Sequence, residues 1–214
     1  MDVGGRDLLP PAILTLTVVS GLVDAVSFLG LGQVFTSAMT GNIVMLGLAL
    51  GGASGFEVGP PLVAVGAYVA GVVGGGLLGR IGRHWLLVAL IAEASLLALA
   101  SGVAFMPISR YALIVILALA MGMRNVTTRH LGVADLTNTT VMTTTVTSMI
   151  IGSPIVGGHD PHTGRLAASV VALVCGVTVG AWLFHTHEIA WTLVLATIPV
   201  AVMTTLVGCF TVPK

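Results

Sequence analysis

Apolar residues run along this chain in blocks long enough to cross a lipid bilayer, and polar residues gather in the short stretches between them. A spanning α-helix needs about 20 predominantly apolar residues. Such blocks are read at 12–31, 60–79, 86–105, 166–184 and 189–210, with a shorter one at 111–123. Two further segments, 34–52 and 138–157, are long enough to cross but are interrupted. The first is broken by Thr40-Gly41-Asn42 and the second is crowded with threonine. Each predicts a broken or re-entrant passage rather than a clean span.

The pattern also repeats. Gly21-Leu22-Val23-Asp24 aligns with Gly122-Met123-Arg124-Asn125 and Met39-Thr40 with Met142-Thr143. Further on, Gly71 and Gly75 align with Gly176 and Gly180, and Trp85 with Trp191, at an offset that only grows, from 101 to 106 residues. Steady drift fits a duplicated unit with small insertions in its second copy, whereas chance matches would scatter. The copies are expected at about 8–106 and 107–212 of a single transmembrane domain.

Charge then bears on topology. Eight full spans would put Arg80, Arg83, Arg124 and Arg129 on one side and Arg6, Arg110, Arg165 and Lys214 on the other, with no bias. If the two interrupted segments are re-entrant, six spans remain, and a cytoplasmic N-terminus keeps all of these except Arg110 inside. The expectation is therefore an all-α integral membrane protein of about six spans, with eight as the alternative. Three spans per copy is an odd number, so the second copy is expected upside down, as in the inverted repeats of secondary transporters. Irregular backbone at membrane depth must be covered by protein or a wet cavity, so the two broken segments are expected to meet at the centre.

Composition agrees with the solvent the pattern implies: 56% of the 214 residues are hydrophobic and 7% charged, against about a quarter charged in soluble domains. Loops of at most about a dozen residues leave no room for a soluble catalytic domain, and the first apolar block is expected to be retained, being too long for a signal peptide. Zero formal net charge gives no case for nucleic acid, and the main partner is the bilayer itself. Cys175 and Cys209 lie in apolar helices, where neither a disulfide framework nor a metal is expected.

Several residues could carry chemistry. Asp24 stands halfway along the first span and Arg124 about as deep in the fifth. A lone charge at mid-bilayer costs about 2.5–3.5 kcal/mol on insertion scales. Two readings follow: Asp24 pairs with Arg124 across the repeat interface, or Arg124 ends its helix at the surface while Asp24 is neutral or caps a helix. Thr40, Gly41, Asn42 and Asn125 belong to the matching motifs. Thr140, Thr143, Thr144 and Thr147 recur at i, i+3, i+4 and i+7, either as the lining of a solute pathway or as hydroxyls bonded to their own helix. Glu93, central in the fourth span, is read as a proton carrier or as a neutral side chain bonded to a neighbouring helix. Ala67, Gly71, Gly75 and Gly79, with Gly176 and Gly180 in the counterpart, let backbones approach closely, within the chain or across a homodimer. His159, Asp160 and His162, and His185, His187 and Glu188, are read as loop residues rather than a metal site. No motif of a hydrolase, metalloprotease or nucleotide-binding enzyme occurs, and no cofactor is expected.

The stretch GLVDAVSFLGLGQVFTSAMTGNIVMLGLAL, followed about a hundred residues later by MGMRN and RHLGVADLTNTT, resembles the YoaK-like family of small bacterial membrane proteins (domain of unknown function 1275). The likeness rests mainly on Asp24 to Leu29 and on Met39-Thr40-Gly41-Asn42. It implies a bacterial cytoplasmic membrane location and about six spans, and supplies no substrate. The expected function is a small transporter or facilitator of an unidentified solute or ion, with proton coupling as an option, working as a homodimer. The alternative is a non-transporting scaffold or accessory subunit.

Overall fold

The computed structural model describes residues 9–82, 84–107, 109–131 and 142–211, which form eight α-helices and no strand. In chain order these are α1 (Leu9–Gly30), α2 (Met39–Leu50), α3 (Gly59–Leu78), α4 (Trp85–Ala104), α5 (Arg110–Leu131), α6 (Met142–Gly152), α7 (Thr163–Thr186) and α8 (Ile189–Thr211), with a 3-10 turn at Pro154–Val156. Six are long and apolar enough to span a membrane: α1, α3, α4, α5, α7 and α8. The other two, of 12 and 11 residues, rise about 1.5 Å per residue and fall well short of a hydrocarbon core about 30 Å thick. The two interrupted segments thus hold short helices rather than spans, but not broken where expected: Thr40-Gly41-Asn42 lie in the first turn of α2, after an irregular stretch at 31–38, and the described threonines of the second segment are helical in α6.

One span is longer than its sequence pattern predicts. The apolar block at 111–123 continues as helix to Leu131, through Arg124, Asn125, Thr127 and Thr128. Polar sequence ends a lipid-facing helix, but this one faces protein. Arg124, Thr127 and Thr128 are buried, and the two threonine hydroxyls donate back to the carbonyls of Met123 at 3.0 Å and Asn125 at 3.0 Å. α1 and α5 form the centre of the bundle, 67% and 61% buried, against 22–33% for the other four spans.

Glycine sets how the centre is packed. Gly71 and Gly75 of α3 lie against the backbone of α5 at Leu119 and Met123, Gly122 of α5 lies against Tyr68 and Val72, and Gly79 meets the ring of His130. The same seam joins α1 to α7: Gly21 faces Leu173 and Val177, Gly176 faces Val18, and Gly180 faces Leu22 and Ala25. A Cβ on Gly21 would lie 2.6 Å from the Leu173 carbonyl oxygen, and one on Gly180 2.9 Å from that of Leu22. Neither seam admits even alanine without backbone movement. The partner of each glycine stripe is therefore a helix of the same chain.

These contacts also fix direction. Gly59 meets Tyr111, Gly71 meets Leu119 and Gly79 meets His130, so α3 and α5 run side by side in one direction. Gly176 at Val18 and Phe184 at Gly30 make α1 and α7 parallel likewise. α4 and α8 are antiparallel, with Ser101 at Thr197, Phe105 at Trp191 and Leu87 at Gly208. One end of the bundle collects Arg80, Arg129 and Arg165, and the other has the Glu57–Arg110 ion pair. The outward faces are apolar: on α3, Leu62, Val69, Val73 and Leu77 are all exposed, opposite the glycine seam, where lipid chains would meet them.

Candidate functional site

The site begins where α1 ends. After Gly30 the chain reverses through Gly32 and Gln33, both with positive φ (99° and 58°). That conformation suits glycine and is uncommon for glutamine. Residues 31–38 then return alongside α1 without regular structure. Backbone polar groups at this depth must be satisfied by protein, and two side chains do it. Asp24 Oδ1 accepts the backbone N–H groups of Thr36 and Ser37, both at 2.9 Å, and the Thr36 hydroxyl at 3.3 Å, while Oδ2 accepts the Ser37 hydroxyl. Asn42 of α2 pairs with Phe35 in both directions: its Oδ1 accepts the Phe35 N–H at 2.8 Å and its Nδ2 donates to the Phe35 carbonyl. Phe35 stacks on Phe28 with ring centroids 5.0 Å apart, and its ring fills the space a Cβ on Gly41 would need.

This explains the motif: Gly41 makes room for the turn, Asn42 stands in for a missing backbone partner, and Asp24 holds the return from below. All partners of Asp24 among the described residues are neutral donors. The expected pairing with Arg124 is not what forms. Arg124 instead donates through Nε to Glu93 Oε1 of α4 at 2.6 Å, with Nη2 converging on the same oxygen as a close ionic contact rather than a directed bond. Its Nη1 donates to the Leu16 carbonyl and the Ser20 hydroxyl of α1, both at 3.1 Å. Arg124 and Glu93 are 5% and 1% exposed. Glu93 is bonded to a neighbouring helix, but in an ion pair with Arg124 and not as the neutral side chain the sequence suggested. The reason is proximity: Arg124 projects toward the α4 side and reaches α1 one turn and more before Asp24.

Beside Asp24 lies a cavity of about 240 Å³, lined by Thr17, Ser20, Asp24, Ser37, Ala38, Met39, Thr40, Met142, Thr143 and Leu173. The starts of the two short helices thus share one cavity, with Met39-Thr40 and Met142-Thr143, aligned in the sequence, both in its wall. A smaller cleft of about 20 Å³ shares Thr17, Ser20 and Ser37 with it and continues past Arg124 and Asn125 to Thr128. Asn125, the counterpart of Asp24, donates to the Tyr68 hydroxyl of α3.

Of the threonine stripe, Thr143 lines the cavity, Thr144 and Thr147 are exposed, and the Thr147 hydroxyl bonds back to the Thr143 carbonyl at 2.8 Å. Thr140 lies outside the described residues. The buried member of α6 is Thr145, the counterpart of Asn42, which the helical stripe does not include. Asp160 and His162 form a turn leading into α7: Asp160 Oδ1 accepts the His162 N–H at 2.9 Å, which holds its carboxyl below the usual range. No group of three or more metal-ligating side chains occurs among the described residues.

Thr17, Ser20, Ser37 and Tyr68 were not among the sequence candidates. A signal for the first two existed, since Thr17, Ser20, Asp24 and Ser27 fall at i, i+3, i+7 and i+10, a polar stripe on one face of an apolar span. Ser37 and Tyr68 are placed only by tertiary structure.

Fold and site together define a multi-pass helical membrane protein with a polar cavity between two short helices. The chain belongs to the family described as "Protein of unknown function (DUF1275)", whose model matches residues 12–206. It is 34% identical over 146 residues to the UPF0700 transmembrane protein YoaK of Bacillus subtilis (strain 168), a match that spans 63% of this chain and 63% of that protein. No solved structure matches the chain.

Proposed function

We propose that this protein is a transporter or facilitator of a small solute or ion in a bacterial cytoplasmic membrane, built from two halves inverted with respect to each other. The cavity between the starts of α2 and α6 carries the proposal. A cavity with a buried carboxylate in its wall, inside a span, has a cost that a pure scaffold has no need to bear. Inversion is supported by the packing: the first helix of each half lies parallel to the third helix of the other, and corresponding glycines, Gly71 with Gly122 and Gly176 with Gly21, make the two seams. Binding between two broken segments at a repeat interface is the arrangement secondary transporters use. A homodimer is proposed only on the small size of a six-span enclosure, because the glycine seams are used within the chain.

Side-resolved thiol labelling tests it. With Cys175 and Cys209 replaced by alanine, Thr40→Cys and Thr143→Cys are treated with a membrane-impermeant reagent in right-side-out and inside-out vesicles. A transporter exposes the cavity to both sides over time, so labelling from both is expected. Labelling from one side only would make the cavity a one-sided pocket, and no labelling would favour the scaffold.

A further inference from the structure

Charge bookkeeping around the cavity is unbalanced. Arg124 and Glu93 cancel each other, and neither touches Asp24. The four hydrogen bonds that Asp24 accepts come from two backbone amides and two hydroxyls, so among the described residues its carboxylate has no cationic partner. Among the described residues, the titratable or charged groups toward this region are the cancelled pair on the far side of Ser20, Tyr68 of α3, bonded to Asn125, and Arg129, whose charge reaches Tyr68. From α7 the cavity receives Leu173, and from α6 Met142 and Thr143, none of them charged.

The hydroxyls add a second observation. Thr17 donates to the Ile13 carbonyl at 2.9 Å, Ser20 to the Leu16 carbonyl at 3.1 Å, and Ser37 to Asp24 Oδ2. Each has given its proton to the protein; Thr17 and Ser37 offer the cavity oxygen lone pairs, while the Ser20 oxygen also accepts from Arg124 Nη1 at 3.1 Å. A wall with one uncompensated carboxylate and lone-pair oxygens repels anions and recruits a cation, the logic of acidic and carbonyl rings in cation pores.

We propose that the cavity is a binding site for a small monovalent cation, with Asp24 as counter-charge and the hydroxyl oxygens of Thr17 and Ser37 as further ligands. One carboxylate with otherwise neutral ligands balances one positive charge, which selects a monovalent over a divalent ion. At about 240 Å³, set against about 30 Å³ per water in the liquid, the space takes an alkali or ammonium ion with part of its hydration shell. This deepens the transport reading of the same cavity and rests on it for its purpose, but not for its existence as a site.

The test uses the full chain in lipid nanodiscs. Its melting temperature is followed as N-methylglucamine chloride is replaced stepwise, at constant ionic strength and pH, by sodium, potassium or ammonium chloride. A ligand of the folded state raises apparent stability by mass action, so a saturable rise of several degrees is expected for at least one of the three, unchanged when gluconate replaces chloride. Asp24→Asn should abolish it. Should Asp24→Asn fail to fold, because Asp24 also holds the turn at 36–37, Thr17→Val carries the test alone. It removes one ligand oxygen, leaves the contacts of Asp24 intact, and should raise the half-saturating concentration about tenfold, the equivalent of losing one good polar contact. The proposal is overturned if the three salts act alike in parent and variants, if the response follows the anion, or if only pH changes the melting temperature. The labelling experiment separates the two readings. A cavity labelled from both sides without a cation response leaves transport standing and removes the cation site, and a cation response with labelling from one side does the reverse.

Discussion

Two buried carboxylates, Glu93 and Asp24, meet the same membrane penalty in different ways. Glu93 is met by an opposite charge, Arg124, which is itself tied to α1 through Leu16 and Ser20; the result joins α1, α4 and α5 and is electrically closed. Asp24 is met by neutral donors from the returning segment and stands in the wall of a cavity; its hydrogen bonds are satisfied, and no cation among the described residues meets it. The first arrangement is suited to holding helices together. The second leaves something for a ligand to do.

Breaking the closed pair should have the largest effect. Arg124→Gln or Glu93→Gln strands the remaining charge in a low-dielectric site, a loss of about 3–5 kcal/mol, while removing both should be milder. A double-mutant cycle on melting behaviour in nanodiscs measures the coupling directly. Strictly additive losses would mean that the two groups do not depend on each other, and the contrast with Asp24 would collapse.

The glycine seams come next. Gly71→Ala and Gly176→Ala drive a methyl group into the carbonyls of Leu119 and Val18, and overpacking of this kind costs about 1–3 kcal/mol. Gly74→Ala, one face round on α3 with nothing within 4 Å, should lose nothing, and alanine in a helix favours it by about 0.5–1 kcal/mol. Equal behaviour of Gly71→Ala and Gly74→Ala would show that the seam is not where the helices meet. A seam that fails only on the α1·α7 side would locate the greater share of the stability in the half that carries Asp24.

Asp24→Asn is the direct counterpart of Glu93→Gln and should cost less. Asparagine keeps one oxygen for the Thr36 and Ser37 amides and forfeits the charge-assisted part of those bonds, a loss of about 1–2 kcal/mol. A larger loss than Glu93→Gln, read from the same melting curves, would place the main structural role at Asp24 and invert the comparison.

How much of this could be read from the chain follows from the range of each interaction. Spans are a local property of about 20 residues, and their positions were legible, as was the failure of two further segments to form full spans; the place of the first interruption was not, since Gly41 and Asn42 lie in a helix and the irregular stretch is 31–38. The extension of α5 to Leu131 was not, since only burial against α3 and α1 makes Arg124 and Asn125 acceptable in a span. Nor was the partner of Arg124. The sequence alignment of the two halves sets Asp24 against Asn125 and so draws attention to Arg124 as its neighbour, but the carboxylate that reaches Arg124 comes from α4, at a position aligned with Pro199. Pairing between elements depends on the angle at which helices cross, which hydropathy does not encode. Ser37 illustrates the same limit on a shorter scale, because its role depends on a reversal at Gly32 and Gln33 that brings it back beside the helix it has just left.

The smallest expected effect marks where the region around Asp24 ends. Thr147 lies on the helical face that predicted a pathway along α6, yet it is exposed and its hydroxyl is bonded to the carbonyl of Thr143 in its own helix. Valine has the same shape and keeps the β-branch, so Thr147→Val removes one local bond from an exposed site and should change stability by no more than about 0.5 kcal/mol. The same substitution at Thr143, in the cavity wall, should change thiol access or cation response at the neighbouring Thr40 position while leaving the fold intact. If Thr147→Val alters those readouts as strongly as Thr143→Val does, the polar path continues along α6 past the first turn, and the charge of Asp24 acts over a longer channel than the cavity described here. If it alters neither, the functional surface of α6 is confined to its first turn, facing the start of α2 across the site.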